Sequence, residues 1–308
     1  MAGILIYSEK TNLTLELVSA AKQMTSGQLY ALAVNNDQQA EELSSKGLDV
    51  YSINNPGLLT ADVANTAFAL KQVTDRLELN TVLLSSDRRG KELAGRVAEA
   101  MNAGCLTDVK GITVENGQVN FIRNALGGAT VATQTIKSPE RVIAVSPRAF
   151  APEEGTGGGS IQTMEISVLA TTFKLLETRR KAGDTVDLQA AERLVIVGQG
   201  VENQGDLTTV DKVAKALSAE TGCSKPVASD KKWFSEDRII GLSGKICKPA
   251  LALILGVSGQ VQFTVGVREA QVIVSINNDE NAFMNKIADY VLIADLHDAL
   301  PELAKALA

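Results

Sequence analysis

The sequence predicts an α/β protein of two domains, each a mainly parallel sheet flanked by helices. Strand-like and helix-like segments alternate along residues 1–104, and this order is typical of a parallel sheet with right-handed crossovers. The apolar runs Leu251–Val257 and Val272–Ile276 are bounded by turn residues, as strands buried on both faces are. A chain of 308 residues corresponds to roughly two domains, since ~100–200 residues per domain is usual.

The first predicted domain spans residues 1–186 and begins with strands and helices in alternation. The expected strands are Ile4–Ser8, Leu29–Val34, Val50–Ile53 and Val82–Ser85, and the expected helices are Leu13–Met24, Gln38–Ser45, Ala61–Leu77 and Lys91–Met101. Asn36, Asp37 and Thr60 are placed to cap helix starts, because their side-chain oxygens can accept from first-turn N–H groups.

Short strands replace this alternation after Cys105. The segments Val109–Val114, Gln118–Ile122, Ala129–Thr135 and Arg141–Val145 are predicted to form an antiparallel extension of the sheet. Residues 151–160 are predicted to be a flexible loop, and the carboxylates of Glu153 and Glu154 are expected to be solvated. We expect a further strand pair within Ile161–Phe173 and a charged connector at Leu175–Asp184.

The second predicted domain spans residues 187–308. Its expected elements are a short helix at Leu188–Arg193, a strand at Leu194–Val197, a helix at Leu207–Glu220, strands at Cys223–Val227, Ile239–Leu242, Leu251–Val257, Val272–Ile276 and Tyr290–Ala294, and a helix at Leu296–Leu307. The last three strands end in small or hydrogen-bonding residues. Because ligands bind at the carboxyl ends of parallel strands, we predict one shared ligand groove there.

Composition and charge narrow the classes of function. A net charge of −6 and a pI of about 5.1 argue against a nucleic-acid or anionic-membrane partner. The three cysteines show neither CxxC nor Cys/His spacing, so we expect reduced thiols in a cytoplasmic protein and no metal site. No signal peptide is evident, and no apolar run approaches the ~18 residues of a membrane span, so we expect no direct membrane insertion.

Two glycine-containing turns carry alternatives that the sequence leaves open. Gly198–Gly200 follows a strand and precedes a helix, which is the context of a phosphate at a helix N-terminus. Asn203 stands where a dinucleotide fingerprint has its third glycine, and a plain βα turn would use the same glycines. Ser258 and Gly259 suit either close approach to a phosphate or the N-cap of a helix.

Acid–base catalysis has little support in this sequence. His297 is the only histidine, and its place near the start of the terminal helix favours a surface position. No Ser/His/Asp or Cys/His arrangement can be assembled from the other side chains, so we assign no catalytic residue. A nicotinamide-dependent dehydrogenase would need a full fingerprint and an acid–base residue. A protein that binds a phosphate-rich cofactor is therefore favoured.

Six segments of the second domain occur in the order, and close to the spacing, of one known family. They are VGQGV, CSKP, GLSGK, GVSGQVQF, SINND and IADYVLIADL. In the first domain, DRRGKELAGRVAEAM and NALGGATVATQTI are similar to segments of the same family. Over nearly its whole length, the chain resembles the alpha subunit of electron transfer flavoproteins.

The resemblance implies an electron carrier and not an enzyme. Such a subunit pairs with a beta subunit, and its flavodoxin-like or Rossmann-like second domain binds one FAD without a covalent bond. The implied function is to relay electrons from acyl-CoA dehydrogenase-type flavoenzymes to an acceptor such as a quinone reductase. The first domain is then expected to serve as a scaffold and to contact the partner.

The resemblance also assigns residues to parts of FAD. The expected cofactor-binding residues are Gln199, Ser224, Lys225, Ile240, Gly241, Leu242, Ser243, Ser258, Gly259, Gln260, Val261, Gln262, Phe263, Asn277, Asp295 and Leu296. The implied neighbours are Ser224, Lys225, Ser258 and Gly259 for the diphosphate, Gly241, Leu242 and Ser243 for the flavin ring, Gln262 for the ribityl chain, Asn277 for the adenosine, and Asp295 and Leu296 for the adenine.

Four positions depart from the pattern of the family. Gln199 and Lys225 replace arginines, and Leu242 stands where glutamine is common. Phe263 replaces a histidine that faces the flavin's pyrimidine carbonyl. Because phenylalanine cannot donate a hydrogen bond, we expect negative charge on the reduced flavin to be less stabilised and the reduction potential to be lower. An alternative is a degenerate paralogue, a structural or regulatory nucleotide-binding partner with weak or no FAD binding.

Overall fold

The computed structural model describes residues 3–126, 130–155, 158–170, 174–177 and 186–307. The chain forms two compact units, Met1–Thr178 and Arg179–Ala308. Each unit has its own sheet and its own buried apolar clusters, so the predicted α/β class is confirmed. Residues 178–185 lie outside the described residues, and the boundary between 186 and 187 stays a prediction.

The first unit contains a nine-stranded sheet within its described residues. The strands are β1 (Ile4–Tyr7), β2 (Leu29–Val34), β3 (Asp49–Ile53), β4 (Thr81–Ser85), β5 (Gly104–Glu115), β6 (Gln118–Ala125), β7 (Thr130–Gln134), β8 (Arg141–Val145) and β9 (Ile161–Thr163), in the order β7-β6-β5-β8-β4-β1-β2-β3-β9. The helices are α1 (Thr11–Met24), α2 (Asp37–Ser45), α3 (Val63–Arg76) and α4 (Arg88–Met101). Apolar clusters cover both faces of the sheet, as parallel strands require.

Two strand predictions in this unit were wrong. Strand β8 belongs to the parallel part of the sheet, between β4 and β5, and only β5–β6 and β6–β7 pair antiparallel. Of the strand pair expected within Ile161–Phe173, only β9 forms, beside β3. The next residues bond to α3 instead: the N–H groups of Ser167 and Leu169 donate to side chains of that helix. Residues 171–173 lie outside the described residues.

The prediction that the carboxylates of Glu153 and Glu154 are solvated is confirmed, since both residues are exposed. The carboxylates of Glu153 and Glu154 form ion pairs with Lys22 of α1 and Lys46, next to α2. The N–H of Glu153 donates to the carbonyl of Leu15 at 3.1 Å. Residues 151–155 are therefore held against two helices. Composition alone did not predict these contacts, because the partners are distant in sequence.

One of the two helix N-caps predicted in the first unit is confirmed, and the other is wrong. The side chain of Asn36 accepts from the N–H of Gln39, which confirms the cap of α2. Helix α3 begins at Val63 and is capped by Asp62, not by Thr60. Asp62 also binds the side chain of Asn65, so its carboxylate satisfies two donors at once.

Over residues 186–307, the second unit contains a five-stranded, fully parallel sheet. Its strands are β10 (Arg193–Val197), β11 (Glu220–Cys223), β12 (Leu251–Leu255), β13 (Val272–Asn277) and β14 (Tyr290–Ile293), and its helices are α5 (Leu207–Ala216), α6 (Lys225–Ser229), α7 (Val261–Thr264), α8 (Phe283–Ile287) and α9 (Leu296–Ala306). The strand order is β11-β10-β12-β13-β14. This is the flavodoxin-like order, and it reverses direction between β10 and β12, where such folds bind ligands.

Several predicted boundaries in this unit were wrong. Leu188–Arg193 forms a turn that leads into β10, and no helix. Helix α5 stops at Ala216 because Ser218 has a left-handed backbone, with φ of 50°. The strand expected at Cys223–Val227 ends at Cys223, and α6 begins with a proline in its first turn.

Two further segments differ from the strands that the sequence suggested. Ile239–Leu242 makes only isolated bridges, because Gly241, with φ of 132°, turns the chain back so that Lys245 N–H donates to Ile239. Strand β14 forms at the edge of the sheet, and its four residues are exposed in this chain. Within the described ranges, no helix is long and apolar enough to cross a membrane.

Candidate functional site

A cavity of about 950 Å³ opens at the carboxyl ends of the strands in the second unit. This volume is at the upper end of the ~300–1,000 Å³ typical of small-molecule sites. Eleven of the predicted cofactor-binding residues line it: Gln199, Ser224, Lys225, Ile240, Leu242, Ser243, Ser258, Gln260, Gln262, Phe263 and Asn277. The turns after β10, β11, β12 and β13 therefore come together as the parallel-sheet argument predicted.

Five predicted residues are not among those that line the cavity. Gly241 and Gly259 act by close packing: a Cβ on Gly241 would lie 2.6 Å from the carbonyl of Gln262, and one on Gly259 would lie 2.2 Å from a backbone nitrogen of α8. Val261 is exposed in α7. Asp295 caps α9 and accepts from the N–H of His297 at 2.8 Å, while the next residue, Leu296, is buried.

Two glycine turns cross at the point where the strand order reverses. The N–H of Gly200 donates to the carbonyl of Gly256 at 2.9 Å, and Gly198 donates to Leu255 at 2.7 Å. A Cβ on Gly198 would lie 2.2 Å from the carbonyl oxygen of Gly256. Contact between the two turns is thus enough to require glycine at these positions, whether or not a ligand binds. This is what a plain βα turn would show. The same contact leaves Gln199 and Gly200 on the cavity wall.

A lysine that sequence reasoning missed holds the first of these turns. The Nζ atom of Lys231 donates to the carbonyls of Gln199 at 3.0 Å and Val201 at 2.6 Å. The same ammonium lies 4.3 Å from the ring centroid of Trp233, within the range of a cation–π interaction. No motif marks this residue, because its bonds go to main-chain atoms about thirty residues upstream.

One side of the cavity carries hydrogen-bond donors and a positive charge. Ser224 is buried, and its N–H donates to the carbonyl of Val197 at 2.9 Å, which joins the ends of β11 and β10. Lys225 begins α6 and is exposed, and Ser258 follows β12. Hydroxyl groups and an ammonium are donors suited to phosphate oxygens.

The other side of the cavity is more apolar. The N–H of Leu242 donates to the carbonyl of Gln262 at 2.7 Å, so the loop after Ile240 lies against α7. Phe263 is 7% exposed and belongs to the same buried apolar cluster as Ile240 and Met284. Its ring therefore offers this wall a flat apolar surface and no hydrogen-bond donor.

Asn277 lines the cavity, and its side chain also joins two turns of the cavity wall. Its side chain is buried, donates from Nδ2 to the carbonyl of Val257 and accepts at Oδ1 from the N–H of Asp279 at 3.1 Å. Eight lining residues were not predicted: Gly200, Pro226, Ser229, Asp230, Gly256, Val257, Asp279 and Ala282. Most follow the same strands, so extending each strand-end prediction by a few residues would have included them.

Neither a cysteine nor His297 is among the residues that line the cavity. Burial raises the pKa of Cys223 to about 12, so its thiol stays neutral near pH 7. His297 is exposed on α9, and its Nδ1 lies 3.5 Å from a carboxylate oxygen of Asp206. Among the described residues, no group of three or more His, Cys, Asp or Glu side chains could hold a metal ion.

Comparison with protein families matches both units. Residues 6–169 match the electron transfer flavoprotein domain, and residues 187–268 match the electron transfer flavoprotein FAD-binding domain. The second match includes the turns after β10, β11 and β12, which form most of the cavity wall.

Relatives of known name agree with this match. YdiR of Escherichia coli (strain K12), assigned by its name to the electron transfer flavoprotein subunits, is 34% identical over 309 residues, which cover 99% of this chain and 98% of YdiR. FixB of E. coli O6:K15:H31 (strain 536 / UPEC) is 30% identical over 309 residues, covering 98% of this chain and 97% of FixB. FixB of E. coli O127:H6 (strain E2348/69 / EPEC) is 34% identical over 229 residues, covering 74% and 73%.

The cavity fits the cofactor that the matched domain is named for. It is large enough for a dinucleotide-sized ligand, it has phosphate-binding donors on one side, and it has an apolar wall on the other. At Gly256 and Gly259, side chains would collide with neighbouring main chain, so glycine allows the turns to close around the site. The chain therefore belongs to the electron transfer flavoprotein family, is of the alpha-subunit type, and has FAD as its cofactor.

Proposed function

We propose that this protein, paired with an electron transfer flavoprotein beta subunit, holds one FAD in the cavity of its second unit and relays electrons. The donors would be acyl-CoA dehydrogenase-type flavoenzymes, and the acceptor would be of the quinone reductase type. The observation that carries the proposal is the cavity itself, which combines donors suited to a diphosphate with an apolar wall suited to a flat ring. FAD, when bound, supplies the redox chemistry.

The residues of the chain would bind and orient the cofactor. Ser224, Lys225 and Ser258 would bind the diphosphate, with Gly259 allowing its approach. Ser243 and Leu242 would border the ring, and Gln262 the ribityl chain. Gln199, Ile240, Gly241, Gln260, Val261 and Phe263 would complete the walls around these groups. Asn277 would hold the adenosine side through the turn after β13, and Asp295 with Leu296 would border the adenine.

The side chains around the cavity support a carrier and not a catalyst of bond chemistry. The lining residues include the carboxylates of Asp230 and Asp279 and the ammonium of Lys225, but neither histidine nor cysteine. Asp279 already bonds to a backbone N–H of its own turn. General acid–base work needs a positioned pair of groups, and this lining supplies none that the described contacts bring together.

The first unit would serve as the scaffold and contact the beta subunit. We place the functional boundary between residues 186 and 187 and the protein in the cytoplasm. Family membership supports a heterodimer in general, and the proposal extends this to the named classes of redox partner. We do not propose binding to nucleic acid, because the chain carries a net charge of −6.

A degenerate paralogue that binds its partner but little FAD is the second candidate. The observations that favour it are Phe263, whose ring offers no donor to the cavity, and Gln199, whose side chain carries no charge. Co-expression with the beta subunit distinguishes the two candidates. Flavin absorbance near one FAD per heterodimer supports the carrier, and a stable but colourless heterodimer overturns it in favour of the paralogue.

A matched pair of variants tests whether this cavity is the one that holds FAD. Lys225→Met removes the ammonium from the cavity, and Lys232→Met removes the same charge from an exposed position that does not line it. We expect Lys225→Met to weaken FAD binding roughly tenfold, since hydrogen bonds to charged groups contribute about 1.5–3 kcal/mol. Equal FAD affinity in the two variants would place the cofactor elsewhere.

A further inference from the structure

Asp279 is an acidic residue on the cavity wall, at the end of a predicted strand, where the sequence indicates only a solvated loop carboxylate. It follows β13, and its main chain is held on both sides by asparagines. Asn277 accepts from its N–H at 3.1 Å, and Asn285 donates to its carbonyl at 3.0 Å. Asn285 also bonds to the buried hydroxyl of Ser275 at 2.8 Å. The turn that carries Asp279 is therefore fixed to the sheet.

The carboxylate of Asp279 is fixed as well. Its Oδ1 atom accepts from the N–H of Asn281 at 2.9 Å, which closes a turn within its own loop. A carboxylate has about four acceptor positions on its two oxygens, so this bond leaves room for a ligand hydroxyl. Asp279 thus presents acceptors, and a negative charge, from a preorganised position.

The charges on the cavity wall are separated across the sheet. Lys225 follows β11 and Asp279 follows β13, with β10 and β12 between these strands. Three spacings of ~4.8 Å put the ends of β11 and β13 about 14 Å apart. A diphosphate held between Lys225 and Ser258 would lie on the β11 side of Asp279, and its nearer end would be about one strand spacing, ~5 Å, from the turn after β13. The region beside Asp279 then suits a neutral group with hydroxyls to donate.

We propose that Asp279 is a specificity-determining residue: its carboxylate accepts a hydrogen bond from the adenosine ribose of the cofactor and rejects nucleotides that carry a phosphate on that ribose. The inference rests on the proposed placement of FAD in this cavity. Acceptors favour a ribose diol, whereas a carboxylate beside a phosphate leaves two negative charges close together. The discrimination is thus built from one attractive and one repulsive interaction.

The test uses the heterodimer stripped of FAD and three probes: ADP, its 2′-phosphorylated form and its 3′-phosphorylated form. Their affinities are measured by competition with FAD, followed by flavin fluorescence. We expect the wild type to bind ADP at least tenfold more tightly than it binds the weaker of the two phosphorylated forms. Asp279→Asn keeps an oxygen for the bond to Asn281 and removes the charge, and we expect it to lose most of that preference.

Asp230→Asn is the matched control, because Asp230 is the other acid on the wall and lies beyond α6, on the Lys225 side. The Asp230→Asn variant should keep the wild-type preference for ADP over the phosphorylated forms. Asp279→Ser, which also lacks the charge, should repeat the result of Asp279→Asn. An unchanged preference in both Asp279 variants, with FAD still bound, overturns this inference alone. Failure of the wild type to bind FAD overturns the proposed function and this inference together.

Discussion

The side-chain amide of Asn277 donates a hydrogen bond of 2.9 Å to the main-chain carbonyl of Val257. The bond joins the turn after β13 to the turn after β12, and it is buried. The same side chain accepts from Asp279, so one residue fixes two turns of the cavity wall. The shape of the site on this side therefore depends on a side chain that is largely occupied within the protein.

Replacing Asn277 by alanine should destabilise the second unit and weaken FAD binding. Without the amide, the buried carbonyl of Val257 loses its donor, and such a loss costs about 1–3 kcal/mol. The free energy of unfolding by urea and the FAD dissociation constant measure the two effects. Asn278→Ala, at the exposed next position, is the control. Equal stability of the two variants would contradict the structural role of Asn277.

Replacing Gly256 by alanine should be strongly destabilising. Gly256 has φ of +61°, and a Cβ there would lie 2.8 Å from the Cα of Gly200. The left-handed backbone alone costs an alanine roughly 1–2 kcal/mol, and the contact adds to this. Gly205→Ala is the control, since a Cβ at Gly205 meets nothing within 4 Å. Thermal unfolding should show a lower midpoint for Gly256→Ala only; equal midpoints would count against the crossing of the two turns.

Replacing Lys231 by methionine should loosen the turn that carries Gln199. The substitution keeps much of the apolar stem and removes the ammonium from the carbonyls of Gln199 and Val201. We expect a loss of about 1–3 kcal/mol in unfolding free energy and weaker FAD binding. Lys232→Met removes the same charge from the adjacent exposed residue and should change neither. Faster hydrogen exchange at Val201 in Lys231→Met would localise the effect.

Introducing histidine at Phe263 should raise the reduction potential of bound FAD. Phe263 lines the cavity without a donor, and an imidazole N–H there would stabilise negative charge on the reduced ring. A hydrogen bond to a charged group contributes about 1.5–3 kcal/mol, or about 30–60 mV for two electrons. Redox titration of the heterodimer measures the shift. Phe263→Leu adds no donor and should leave the potential near that of the wild type; a similar rise in both variants would refute the explanation.

The ion pair of Glu153 should make a small, pH-dependent contribution to stability. The ammonium of Lys22 lowers the pKa of Glu153 below its ordinary value of 4.5. A lowered pKa in the folded state stabilises the protein above the unfolded pKa, and this stability is lost as the pH falls through the folded pKa. Glu153→Gln should therefore have a lower urea midpoint than the wild type at pH 7. The two midpoints should converge as the pH falls below 4.5, and a constant difference would contradict the assignment.

The alternation of strands and helices in the first unit was predictable, because apolar period and turn residues are local signals. Errors and omissions arose where distant residues decide the structure. Strand β8 is buried between β4 and β5, which its own five residues do not reveal. The ion pairs of Glu153 and Glu154 depend on lysines of another part of the chain. Positive φ angles at Ser218 and Gly241 end helix α5 and interrupt the strand predicted at Ile239–Leu242, and the residue types at these positions did not predict this.

The candidate site was predicted in outline for a related reason. Strand ends are local signals, and a parallel sheet brings them together, so most predicted residues line the cavity. Lys231 was missed because its importance comes from contacts with the main chain of another turn. Asp279 was expected to be a solvated loop carboxylate, and its place on the cavity wall was not predicted. For the glycines beside Gln199 the sequence left open a phosphate site or a plain βα turn, and contact with Gly256 is enough to require them.

The crossing of the turns at Gly200 and Gly256 also bears on how the protein matures. All residues that line the cavity lie between Gln199 and Ala282, after the strands of the first unit. During synthesis from the N-terminus, the first unit is complete before either cavity wall can form. We therefore expect FAD loading to follow translation of the second unit. A nascent chain that ends before Gly256 would lack the contact between the two turns and so could not form the cavity.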